Sequence, residues 1–88
     1  MDRLNKYKIS DEDKEFINLL NKLCEGGTPF NLDCDGYTFQ VDPGDDGVEV
    51  WKKEKVGDFN SIFDMLEKFK INGKTLIEQI DLLGFEEE

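Results

Sequence analysis

The sequence predicts an α+β domain of order α-β-β-β-α-α, a three-stranded antiparallel meander with helices packed on one face. Apolar residues recur at helical spacing in residues 11–25, and two alternating runs flank an Asp-Gly pair between residues 30 and 41. Two more apolar groups at helical spacing follow residue 58. The 88 residues are enough for one domain and too few for two, so we predict a single domain over 1–88, with 1–9 and 85–88 as flexible ends.

The first helix is predicted over residues 11–25. Ser10 precedes three acidic residues, which is typical of a serine cap followed by acids that face the helix dipole. Gly26-Gly27 ends the helix.

The next two strands are predicted to form a hairpin around Asp35-Gly36, a strong turn signal. A two-residue turn makes the facing pairs on one face apolar: Phe30 with Val41, Leu32 with Phe39, and Cys34 with Tyr37. Residues 42–47 form an acidic loop, and the alternation resumes at 48–51. We predict that Val41 faces Val48 and that Phe39 lies beside Val50, because a shift by two residues would place Asp42 opposite Glu49.

Two helices are predicted to follow the sheet. Helix two has Asp58 or Asn60 as its cap, and Asn72-Gly73 stops it. Its apolar face consists of Phe59, Ile62, Phe63, Leu66 and Phe69. The Thr-Leu-Ile-Glu pattern that starts at Thr75 is a capping box for a short third helix, which Gly84 closes.

The charge of the chain limits its partners. Twenty-one acidic residues against 11 basic ones give a net charge of −10 at pH 7 without histidine. Such a surface repels nucleic-acid backbones and anionic membranes. No apolar run approaches the ~20 residues of a spanning helix, and residues 1–8 lack the apolar stretch of a secretory signal. We therefore expect a cytoplasmic protein that binds neither nucleic acid directly nor membranes.

Metal-binding and catalytic patterns are weak. Cys24 and Cys34 form no CxxC pair, so we interpret them as buried thiols. Residues 31–42 partly match a calcium loop, but Asp42 replaces its bidentate glutamate and Pro43 follows where a helix should begin, which favours a hairpin turn. The sequence has no GxSxG, P-loop or GxGxxG motif. We predict no cofactor, no metal site and no enzymatic activity, with the adjacent Asp45 and Asp46 as solvated loop acids.

The candidate partner-binding residues lie on and between the predicted strands. Trp51 alternates out of phase with Val48 and Val50, which places it on the non-core face, where a large aromatic is typical of an interface anchor. The alternative is that a bulge, or the N-terminal segment with Leu4, Tyr7 and Ile9, covers it. The full candidate set is Asp33, Asp35, Asp42, Asp45, Asp46, Glu49 and Trp51.

In size, acidity and layout the chain resembles small phage-encoded inhibitors of the anti-CRISPR type. The resemblance rests on the helix at 11–25, the meander from Phe30 to Val56, the helices from Phe59, and the acidic residues from Asp33 to Glu49. It implies a nucleic-acid mimic that occupies a nucleic-acid site on its target. Immunity proteins that neutralise basic nuclease toxins are similar in the same respects.

Two hypotheses about function follow. The first is a non-catalytic inhibitor or adaptor whose acidic surface docks on a basic protein, such as a nucleic-acid-binding enzyme. The second is a small cytoplasmic domain of unassigned role, whose charge serves only solubility. A clustered acidic patch would favour the first, and evenly scattered charge the second.

Overall fold

The computed structural model describes residues 7–86 and confirms the α+β class. The elements are α1 (Asp11–Glu25), β1 (Phe30–Cys34), β2 (Tyr37–Gly44), β3 (Gly47–Trp51), β4 (Lys55–Phe59), α2 (Ile62–Lys68), β5 (Lys70–Ile71), β6 (Lys74–Thr75), a 3₁₀ helix (Ile77–Leu82) and β7 (Leu83–Phe85). Within the described residues the sheet has five strands in the order β4-β3-β2-β1-β7, and a separate two-stranded hairpin pairs β5 with β6. The predicted three-stranded meander is thus part of a larger sheet.

Helix α1 has the predicted bounds and the predicted cap. The Ser10 hydroxyl accepts a hydrogen bond from the Asp13 backbone N–H at 3.1 Å, and acids fill the first turn. Ile17 and Leu20 are fully buried against the rest of the core. The N-cap and the apolar spacing thus both favour a helix over the same residues.

The β1–β2 hairpin has the predicted register, with Leu32 opposite Phe39. Asp35 and Gly36 both have positive φ, 51° and 86°, as a type I′ turn requires. The Asp33 carboxylate accepts a hydrogen bond from the Gly36 N–H at 2.8 Å, which supports the turn.

The predicted register between β2 and β3 is wrong by two residues. Val41 faces Val50 rather than Val48, and Asp42 lies opposite Glu49. In this register β2 and β3 stay paired as far as Gly44 and Gly47, and only two residues form the turn. The strands therefore make backbone hydrogen bonds that the predicted six-residue loop would lack. The like charges are tolerated because a lysine on β4, Lys55, forms an ion pair with Glu49 at 3.1 Å.

Strand β4 was not predicted, and it shortens the second helix. Phe59 belongs to β4 and pairs with Val48, although its spacing also fits the apolar face of α2. The N-cap is neither Asp58 nor Asn60 but Ser61, whose hydroxyl accepts from the Asp64 N–H at 3.0 Å. The helix ends at Lys68, well before the Asn-Gly pair.

The chain after α2 also differs from the predicted helix stop and short third helix. Asn72 and Gly73 have φ of 57° and 83° and form the turn of the β5–β6 hairpin, so this Asn-Gly pair is a hairpin signal and not a helix stop. The element after it is a 3₁₀ helix with a kink at Gln79, whose buried amide donates to the carbonyls of Ile71 and Lys74. Gly84 lies inside β7, which pairs with β1.

The helices and the 3₁₀ helix pack on one face of the five-stranded sheet. A single apolar cluster joins alternate strand residues to α1, α2 and the 3₁₀ helix. At the β7 edge, the Phe85 ring packs edge-on against Phe16, with ring centroids 5.3 Å apart. The residues of β1, β2 and β3 that alternate with the core residues lie on the opposite face and are half-buried or exposed. We call this the open face.

The capping box at Thr75 predicts a loss of stability in acid. Glu78 accepts hydrogen bonds from the Thr75 N–H and hydroxyl at 3.0 and 2.9 Å. These bonds, and then nearby Lys70 and Lys74, lower the pKa of Glu78 below its usual 4.5. A carboxyl whose pKa is lowered on folding stabilises the fold above the unfolded-state pKa, and this contribution disappears as pH falls through the folded-state pKa.

We therefore expect Glu78→Gln to lower the Tm at neutral pH, while the wild type and the variant converge at a pH well below 4.5. Thermal unfolding followed by circular dichroism over this pH range measures the difference. Glu15→Gln, an exposed residue of α1 beyond its first turn, is the control. A Tm difference that stays constant down to the lowest pH would contradict the assignment to this carboxylate.

Candidate functional site

Three acidic residues form a row across the open face. The registers place Asp42 on β2 opposite Glu49 on β3, and Glu49 opposite Asp58 on β4. Facing residues on adjacent strands have Cβ atoms about 5 Å apart. The row is therefore a line of three neighbouring carboxylates.

The β2–β3 turn adds two more acids at the end of this row. Together the five form a patch that we call the acidic corner: Asp42, Asp45, Asp46, Glu49 and Asp58. They line a shallow concavity of about 530 Å³, and none of its described lining residues is basic. The carboxylates around this concavity are suited to attract cations and N–H donors.

One lysine neutralises part of the acidic corner. The Lys55 ammonium lies 2.8 Å from an Asp58 oxygen and 3.1 Å from a Glu49 oxygen. Its hydrogen bonds to Asp58 and then to Glu49 raise the pKa of Lys55 above 10.5, so it stays charged at physiological pH. Within residues 7–86, the side chains of Asp42, Asp45 and Asp46 form no hydrogen bond or ion pair.

Trp51 lies on the open face next to the acidic corner. Its indole N–H donates to the second oxygen of Glu49 at 3.1 Å, so Glu49 connects the aromatic ring to Lys55. The ring is half-buried and borders a concavity of about 290 Å³ whose charged lining residues are Lys52, Lys53 and Glu86. The half-burial leaves part of the indole accessible.

Part of the N-terminal segment that was considered as a cover for Trp51 packs elsewhere. Tyr7 and Ile9 pack against the main core instead, and the Tyr7 hydroxyl donates to Glu67 on α2 at 2.8 Å. Leu4 lies outside the described residues. The ladder does shift between Val50 and Trp51, and Trp51 faces Lys55 beyond this irregularity.

Asp33 and Asp35 lie apart from the acidic corner. Asp33 pairs with Thr38, which lies four positions before Asp42 on β2, roughly 13 Å along the strand. Both aspartates instead border a concavity of about 430 Å³ with Leu82 and Phe85. Asp33 also supports the β1–β2 turn through its hydrogen bond from the Gly36 N–H.

The two cysteines are core residues. Burial, and then the charge of Glu25, raises the pKa of Cys24 to about 11. Cys34 is fully buried, and burial followed by the charges of Asp35 and Asp33 raises its pKa as well. A thiol with a raised pKa is a poor nucleophile at neutral pH.

The residues of the partial calcium loop are spread over the β1–β2 hairpin. Asn31 and Asp33 lie on β1 and Asp42 lies on β2 beyond the end of the β1 ladder. Over residues 7–86, no three His, Cys, Asp or Glu side chains are grouped in a way that could hold a metal ion. None of the helices in this range is long and apolar enough to cross a membrane.

Comparisons with protein-family profiles, with curated proteins and with solved structures give no match for this chain.

The structure thus brings together four of the predicted acids and places Trp51 beside them. Sequence reasoning missed Asp58, which it assigned to a helix cap, and Lys55, which belongs to the unpredicted strand β4. The available signal was Asp58 between Gly57 and Phe59, but it is short and contains a glycine, which is unfavourable inside a strand.

Proposed function

We propose that this chain is a non-catalytic interaction module that docks its open face on a basic protein surface, as an inhibitor or adaptor. The observation that carries the proposal is the acidic corner, where five of the acids converge on one concavity without a basic lining residue. Solubility alone requires no such clustering, since evenly scattered charge serves it equally well.

The partner class follows from the spacing and chemistry of these carboxylates. The residues of the row have Cβ atoms about 5 Å apart, and their carboxylates offer hydrogen-bond acceptors to lysine and arginine side chains. Two more carboxylates lie in the adjacent β2–β3 turn. Proteins that bind nucleic acid carry such side chains on the surface that contacts phosphates. We infer that the carboxylates occupy positions that phosphates take in the partner's own complex, as in a nucleic-acid mimic of the anti-CRISPR kind.

Trp51 supplies the apolar part of the proposed interface. Charged groups raise the association rate and set orientation, whereas buried aromatic area slows dissociation. The half-buried indole lies one side chain away from the acidic corner, so one docked surface can cover both.

The test is the interaction with an identified basic nucleic-acid-binding protein, measured as association and dissociation rates at several salt concentrations. For the wild type, we expect the association rate to fall with added salt, because exposed charges are screened beyond ~8 Å at physiological ionic strength. We expect Trp51→Ala to raise the dissociation rate about tenfold or more, with little change in the salt dependence.

Two outcomes would contradict this proposal. One is a wild-type association rate that does not respond to salt. The other is a Trp51→Ala variant that dissociates as slowly as the wild type. Leu19→Ala, an exposed apolar residue on α1, is the matched control for loss of a surface side chain.

A further inference from the structure

Lys55 is the only basic residue with ion pairs to the acidic corner among residues 7–86. Its ammonium bridges Glu49 and Asp58, the central and outer carboxylates of the row. Lys55 also faces Trp51 across the β3–β4 ladder. On the open face it therefore lies next to both carboxylates and the indole.

These ion pairs are exposed to solvent. The side chains of Lys55, Glu49 and Asp58 are 37%, 40% and 67% exposed. Exposed pairs are weak because water screens them and because two long side chains lose rotamer freedom. Lys55 can therefore leave this position at little cost when another cation replaces it.

The position of Lys55 coincides with the place that a docked basic surface must cover. A partner that reaches Asp42 on one side and Asp58 on the other covers Glu49, which lies between them in the same row. One ammonium among five carboxylates leaves a strong excess of negative charge for incoming cations.

On the basis of the proposed function, we infer that Lys55 is an internal competitor, which occupies in the free protein the position between Glu49 and Asp58 that a lysine or arginine of the partner takes on docking. Lys55 thereby sets the affinity of the open face. In the free protein it also limits repulsion within the row, and in the complex its side chain moves aside.

The consequence is that loss of Lys55 strengthens binding by more than its charge alone explains. Lys53 is the matched control, because it lies two positions away in the exposed β3–β4 connection and forms no ion pair in the described part of the chain. Lys53→Gln and Lys55→Gln change the net charge equally. Only Lys55→Gln vacates the position between the two carboxylates.

The experiment titrates the wild type and both variants with an oligolysine peptide at low ionic strength. Trp51 is the single tryptophan and its indole bonds to Glu49, so its fluorescence reports on this position. We expect Lys55→Gln to bind the peptide roughly two- to fivefold more tightly than Lys53→Gln, the factor that corresponds to exposed ion pairs. Lys55→Arg should bind as the wild type does.

Each other outcome has a distinct meaning. Equal affinities of Lys55→Gln and Lys53→Gln, or weaker binding by Lys55→Gln, would overturn the inference while the acidic corner remains a docking surface. If the peptide binds equally well after Asp42, Asp45 and Asp46 are changed to asparagine, the proposed function itself fails. Should Lys55→Gln unfold, Lys55→Met, which keeps the apolar stem, replaces it, and circular dichroism verifies the fold.

Discussion

Gly47→Ala is expected to lower the free energy of unfolding by about 3 kcal/mol or more, the largest single effect that we anticipate outside the core. Gly47 has φ of 145°, a conformation that residues with a side chain rarely adopt. A Cβ there would lie 2.0 Å from the Phe59 carbonyl oxygen and 3.0 Å from the Asn60 Cα. Both are backbone atoms, so no change of rotamer relieves the overlap.

Gly44→Ala is the matched control for this change. Gly44 pairs with Gly47 across the same two-residue turn, yet its added Cβ would meet only the Gly47 carbonyl oxygen, at 3.9 Å. We expect an effect below about 1 kcal/mol.

Thermal and denaturant unfolding of both variants measure the difference. For a domain of this size, 3 kcal/mol corresponds to a Tm decrease of roughly 12–24 °C. Equal stabilities for the two variants would show that the close approach of β3 to the end of β4 is wrong. Gly47 connects the turn that carries Asp45 and Asp46 to β3. If the alanine side chain pushes this position away from β4, the two turn acids should also move away from Asp58.

The features that the sequence predicted correctly are those set by short-range chemistry. The α1 cap, the Asp35-Gly36 turn and the β1–β2 register depend on residues within a few positions of one another. Each has redundant support, because the turn residues and the apolar pairs indicate the same register.

The errors arose where a distant residue decided the outcome. The β2–β3 register was rejected because Asp42 and Glu49 would face each other, but Lys55 on a strand that had not been predicted compensates for that pair. Phe59 fits both a helical spacing and a strand, and only its pairing with Val48 distinguishes them. Such information is tertiary, so local periodicity cannot provide it.

The same limit applies to the candidate site. A list of acids along the strands does not reveal that Asp42, Asp45, Asp46 and Glu49 converge while Asp33 and Asp35 lie at the other end of the sheet. Alternation along a strand decides on which face of the sheet a side chain lies, whereas the strand register decides which side chains are neighbours on that face. The two-residue error in register therefore hid the row that Asp58 completes.

The second large effect concerns the placement of charge. Replacing Asp42, Asp45 and Asp46 by asparagine changes the net charge from −10 to −7, that is −10 + 3. We expect this variant to associate about tenfold more slowly with the basic partner at low salt, since steering by clustered charge accounts for factors of that order or larger. The fold should be unaffected, because these side chains form no hydrogen bond or ion pair in residues 7–86.

A second triple variant has the same net charge but leaves the acidic corner intact. Glu12→Gln, Glu15→Gln and Asp81→Asn change exposed residues of α1 and the 3₁₀ helix, on the covered side of the sheet. We expect its association rate to fall less than twofold, because the neutralised charges lie about a Debye length or more from the docked surface. Stopped-flow measurements of both variants at low and physiological salt give the comparison. Equal slowing of the two would mean that net charge alone attracts the partner, and the charge of this chain would then serve solubility without a dedicated docking face.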